Sequence, residues 1–129
     1  MIRLSLRRST FTILVLIGHS YGADDEIVIA KRLNRAHVPV ALLISLDHTK
    51  PQKIPPNVKA FYNLSSGASI MHSVIAWGCI LDAESNNTKI VNVDLLKDKR
   101  IIYVNHFNID KLSAVHKLIL EIIKSEIKV

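Results

Sequence analysis

Residues 11–22 read Phe-Thr-Ile-Leu-Val-Leu-Ile-Gly-His-Ser-Tyr-Gly, an apolar, partly β-branched run that enters Gly18-x-Ser20-x-Gly22 without a break. The pattern predicts a strand over residues 11–17 and then a sharp strand-to-helix turn with Ser20 at its apex, the sequence form of a nucleophile elbow. A serine hydroxyl becomes a useful nucleophile only when a turn exposes it, a base takes its proton and backbone amides receive the developing negative charge. Gly18 and Gly22 are expected to keep the crossing of strand and helix free of Cβ atoms, and the backbone N–H of Tyr21 is expected to face the oxyanion.

Working outward, Ala23, Ile27, Ala30 and Leu33 recur at helical spacing, with Asp24, Asp25 and Glu26 in the first turn and Lys31, Arg32 and Arg35 in the last. This predicts a helix whose dipole is complemented at both ends. Residues 38–46 form a nearly continuous apolar run that ends at Asp47, the pattern of a strand covered on both faces. Strand, helix and strand so close together predict a parallel βαβ unit.

Beyond it, Pro51, Pro55 and Pro56 break the chain, and residues 58–64 resume as a strand. Residues 65–88 carry apolar positions between Gly67, Gly78 and Asn86-Asn87 and read equally as a lid, a hairpin, or a short helix with a strand. Residues 88–95 and 100–104 are further strand candidates. A final amphipathic helix presents Leu112, Val115, Leu118, Ile119, Ile122 and Ile123 on one face, with Asp110 as its expected cap. The expected class is α/β, a mainly parallel sheet of about four to five strands with flanking helices.

The chain has 129 residues, 49% of them hydrophobic, enough for one domain with a real core over residues 1–129 and hardly for two. Residues 1–10 read as a basic extension. The net charge of +6 is scattered along the sequence, and aromatic residues make up only 5%, so no nucleic-acid partner is expected. The single cysteine, Cys79, forbids an internal disulfide and reads as a small core residue. No stretch reaches the length of a membrane span. No metal-ligand spacing and no cofactor motif occurs, so neither is assigned.

The candidate chemistry lies in the chain order Ser20, Asp47, His106. Asp47 closes the second strand, and His106 sits in the loop before the last helix. In a parallel sheet the C-terminal strand ends share one edge, so distant residues converge there. His106 is expected to act as base toward Ser20, Asp47 to orient the imidazole, and the Tyr21 amide to supply half of an oxyanion hole. Each position has a plainer reading as a small turn residue or a cap. Asp82, Asp94 and Asp110 compete for the acid, and His48 is the alternative base.

With Gly18-His19-Ser20-Tyr21-Gly22-Ala23-Asp24, Ser45-Leu46-Asp47 and Asn105-His106-Phe107-Asn108-Ile109-Asp110 in place, the chain resembles the C-terminal half of an α/β-hydrolase. Thioesterase-like members are the closest analogy, since there the acid often follows the strand after the nucleophile strand. The resemblance implies a small-molecule ester or thioester substrate and an acyl-serine intermediate. The apolar residues between Ile70 and Trp77 are candidates to line an acyl pocket.

The family's elbow follows its fifth strand, whereas only ten residues precede this one. The resemblance therefore implies a truncated or split domain without the loop that gives the second oxyanion amide. It also implies a bare edge strand that pairs with a second copy or a complementary fragment. Two rival expectations stand beside the enzyme. One is a catalytically inactive remnant that acts as an interaction module. The other is an exported protein in which residues 1–22 are a leader, with Arg3, Arg7 and Arg8 before an apolar run and Ser20-Tyr21-Gly22 as cleavage site. The enzyme reading implies a cytoplasmic location.

Overall fold

A computed structural model describes residues 13–67 and 77–127. Four strands, β1 (Val15–His19), β2 (Leu42–Leu46), β3 (Ala60–Ser65) and β4 (Lys89–Asp94), form one sheet in the order β1-β2-β3-β4. Every pairing is parallel. Helix α1 (Tyr21–Arg35) connects β1 to β2, and helix α2 (Ser113–Glu126) closes the fold. The class is α/β, as the apolar runs and the periodic segments between them required.

The continuous apolar run of β2 is explained by its two covered faces, because side chains alternate along a strand. Leu42, Ile44 and Leu46, with Ala60, Tyr62 and Leu64, pack against Val115, Ile119 and Ile122 of α2. Leu43 and Phe61 pack on the opposite face with Ile27 and Ala30 of α1. The end of α2 is tied to the sheet by Glu126, which accepts hydrogen bonds from Tyr62 Oη and, at 2.6 Å, from Lys89 Nζ.

Several local expectations are corrected. The first strand runs two residues further than residues 11–17 suggested, through Gly18 and His19, while Phe11 and Thr12 lie outside the described residues. Residues 100–104 are not a strand. Asp94 caps a short 3-10 turn, Leu95–Lys97, through Leu96 N–H, and the chain then folds back under α2. Arg100 bridges Asp98 and Glu121 there, Ile101 and Val104 are buried, and Tyr103 takes a left-handed φ of 59° that no strand allows.

Of the acids expected in the first turn of α1, Asp24 lies there and is buried, with Arg32 and Arg35 in the last turn as expected, whereas Glu26 lies beyond the first turn and is buried as well. Asp110 does not cap α2, which begins at Ser113 with Leu112 as its N-cap residue and no side-chain cap. Of the open segment 65–88, residues 68–76 lie outside the described residues. Residues 77–88 contain no regular helix or strand, apart from an isolated parallel bridge of Ala83 to Ile54.

Among the described residues no helix is long and apolar enough to cross a membrane.

Candidate active site

Ser20 sits between β1 and α1 with φ 57° and ψ −120°, a strained conformation for a residue with a side chain. Such a conformation costs on the order of 1–3 kcal/mol and persists only where its surroundings enforce it. They do so here. The Ser20 N–H donates to the Leu46 carbonyl of β2 at 2.9 Å, and its own carbonyl accepts the amides of Ala23 and Asp24 at the start of α1.

The close approach that makes the turn possible is at Gly18. A Cβ there would lie 2.5 Å from the Gly22 carbonyl oxygen and 2.5 Å from Glu26 Oε2. Gly22 is different, because a Cβ added to it meets nothing within 4 Å. Only the first glycine of the motif is required by packing.

Asp47 follows β2 with a φ of 49°, a left-handed turn that Asp tolerates better than most residues. Its side chain is fully buried. Asp47 Oδ1 accepts from Ser66 N–H at 2.8 Å, and Oδ2 accepts from Ser66 Oγ at 2.5 Å and from His106 Nδ1 at 3.2 Å. On the other side of the imidazole, His106 Nε2 lies 3.0 Å from Ser20 Oγ. The three side chains expected from the sequence thus form one chain of contacts. A carboxylate that only accepts fixes the proton on Nδ1 and leaves Nε2 free to accept from the serine.

The loop bearing His106 is built by Asn105, whose side chain accepts the amides of Phe107 and Asn108, and by Asn108, whose side chain accepts the Asn105 amide. Buried Ile109 anchors that loop in the core. Tyr21 is the first residue of α1, so its N–H has no partner within the helix, while its side chain is 71% exposed. The amide is therefore free by position to meet a ligand oxygen beside Ser20.

Five contributors were not visible in the sequence. Ser66 orients the acid. Asp24 accepts the amides of Thr49 and Lys50, each at 2.9 Å, and the Thr49 hydroxyl, which fastens the loop immediately after Asp47. Gly78, at φ 71°, presses onto the acid so closely that a Cβ would meet Asp47 Oδ1 at 2.8 Å. His19, the variable position of the elbow, donates from Nε2 to the His106 carbonyl at 2.7 Å and faces Asp110 through Nδ1 at 3.6 Å. Trp77 stacks on the His106 ring, with centroids 3.8 Å apart and planes at 13°. Spacing carries no signal for these contacts, which cross between segments far apart in sequence.

His48, the alternative base, is occupied elsewhere. It is fully buried and its Nε2 donates to the Cys79 carbonyl at 2.7 Å, while burial pushes its pKa below the usual imidazole value. Of the apolar residues offered for an acyl pocket, only Trp77 is described, and Ile70 with the rest lies outside the described residues. A cavity of about 280 Å³ opens beside His106, lined by Ser66, Gly67, Trp77, Leu96, Val104 and Phe107. Among the described residues no group of His, Cys, Asp and Glu side chains is arranged to hold a metal ion.

No family model, curated protein or solved structure matches this chain.

Proposed function

We propose that the protein is a serine hydrolase of the α/β type that cleaves an ester or thioester through an acyl-Ser20 intermediate. The observation that carries this reading is the continuous contact from Ser20 Oγ through His106 to buried Asp47, with the serine at a strained strand-to-helix turn. A hydroxyl held beside an imidazole at such a turn is the arrangement an elbow nucleophile needs, and this supports the reading.

In the reaction, Ser20 Oγ bonds to the carbonyl carbon and its proton passes to His106 Nε2. The carbonyl oxygen takes the negative charge facing the Tyr21 amide, and Asp47 stabilises the imidazolium. Collapse of the tetrahedral adduct breaks the bond to the alcohol or thiol, which leaves with the proton from His106. Water then attacks the acyl-serine, giving its proton to His106; the second adduct collapses by breaking the acyl–Oγ bond, His106 returns the proton to Ser20 Oγ, and the acid product leaves. The cavity beside His106, walled by Trp77, Leu96, Val104 and Phe107, is apolar enough to accept a hydrocarbon portion of the substrate.

A serine-directed fluorophosphonate tests the reading. The wild-type chain is expected to be labelled and Ser20→Ala to escape. No labelling, or labelling that survives Ser20→Ala, removes the enzyme.

A second reading is favoured by one observation. Among the described residues β1 is an edge of the sheet, and Ile17 within it and Ile13 just before it stand 46% and 53% exposed. A catalytically inactive module that associates through this edge, with a second copy or a complementary fragment, is consistent with that exposure. It requires concentration-dependent association without turnover. A monodisperse monomer with esterase activity argues against it.

A further inference from the structure

Resting on the serine-hydrolase reading, we propose that Trp77 is the positioning residue of the base, a rigid aromatic platform that holds the His106 ring in line between Ser20 and Asp47 and stabilises its protonated form. The stack is nearly face to face, so the indole covers one side of the imidazole over its whole area. An imidazole held only by its two in-plane contacts remains free to tilt about the line joining them. A parallel ring at van der Waals distance removes that freedom. When His106 accepts the serine proton it becomes a cation over the face of the most strongly attracting aromatic side chain.

The platform is itself fastened. Gly78 N–H donates to the His48 carbonyl at 2.8 Å, and Asn63 Nδ2 donates to the carbonyls of Gly78 and Cys79 at 3.0 and 2.9 Å. His48 Nε2 donates to the Cys79 carbonyl as well. Asn63 and His48 are buried polar residues with no part in the triad, and they tie the two residues after Trp77 to β3 and to the loop after β2. This use of buried polar groups is costly unless position matters. The other edge of the site is closed by Phe107, perpendicular to the indole with centroids 5.8 Å apart. The charged and titratable groups facing His106 are Asp47 and His19, with Asp110 beyond His19.

Trp77 is the only tryptophan of the chain, so its emission reports the surroundings of this one ring. A ring stacked on the indole shields it from water, so His106→Gln is expected to shift the emission of the full-length protein to longer wavelength at one fixed pH. Superimposable emission spectra of the two proteins overturn the proposal.

The second arm measures the rate of fluorophosphonate labelling of Ser20 in Trp77→Leu and Trp77→Phe. Loss of the stack is expected to slow labelling by about three- to thirtyfold, the range of a cation–π contact, and Phe is expected to restore most of it. A Trp77→Leu protein that labels at the wild-type rate overturns the proposal, as does a Phe variant as slow as the Leu variant. A wild-type chain that never labels sinks the hydrolase reading alone, because the emission arm still decides whether the stack exists.

Discussion

Replacing Glu26 by Gln should stabilise the protein, and by an amount that depends on pH in a way only a buried carboxyl can produce. Glu26 lies on α1 with 4% of its surface exposed, its carboxyl packed over the Gly18 backbone, and neither oxygen has a hydrogen-bond partner among the described residues. Burial without compensation pushes its pKa from 4.5 up to about 9. The folded protein therefore keeps this proton where the unfolded chain has released it. Stability conferred while the group is protonated in both states is lost as pH rises above about 4.5, at up to about 1.4 kcal/mol per pH unit, until the folded group also ionises.

Because the folded value lies above neutrality, the loss at neutral pH is set by the unfolded value alone and amounts to about 3 kcal/mol. Gln has the same shape and cannot ionise. Glu26→Gln is expected to match the wild type near pH 4 and to exceed it by about 3 kcal/mol near pH 7, or on the order of 10 °C in Tm. Urea titrations of both proteins, followed by far-ultraviolet circular dichroism, measure the difference, in which all other titrating groups cancel. A gap between the two curves that stays constant with pH would refute the reasoning, since it would mean that Glu26 titrates alike in both states.

The remaining expectations concern the elbow and the acid. Gly18→Ala drives a methyl group into the Gly22 carbonyl and should destabilise the fold by about 1–3 kcal/mol in a thermal melt, whereas Gly22→Ala, with open space and a helical position, should be neutral or gain about 0.5–1 kcal/mol. Asp47→Asn should keep the fold yet slow serine labelling by several orders of magnitude, since an amide that donates toward Nδ1 favours the wrong tautomer. Ser66→Ala removes one of two hydrogen bonds from Ser66 to the acid and should cost about 1.5–3 kcal/mol by urea titration, with slower labelling beside it. Gly78→Ala should lower labelling more than it lowers stability, because its methyl group meets Asp47 Oδ1 and Ser65 Oγ.

The βαβ beginning, the parallel sheet and the order of Ser20, Asp47 and His106 along the chain are all legible in the sequence. An apolar run bounded by turn residues announces a buried strand, a three- and four-residue repeat announces a helix, and parallel strands deliver their C-terminal ends to one edge. The misreadings came from residues whose local pattern fitted two environments. Glu26 reads as a first-turn acid but lies beyond that turn, and the helix face that buries Ile27 and Ala30 carries it inward together with Asp24. Asp110 stands at capping distance from a helix in sequence but turns toward His19. Residues 100–104 have strand composition, but β4 ends the sheet and α2 draws Ile101 and Val104 beneath itself.

What the sequence by itself determined was set by neighbours along the chain: glycine where strand and helix must nearly touch, an unbroken apolar run where a strand is covered twice, a serine at the apex. Only the tertiary structure decided which groups hold that serine's partners in place. Ser66 on Asp47, His19 on the His106 carbonyl and Trp77 on the imidazole are contacts across 19, 87 and 29 positions, respectively. No periodicity encodes them, because hydrogen bonds and ring stacks depend on tenths of an ångström that exist only once both faces of the sheet have been packed.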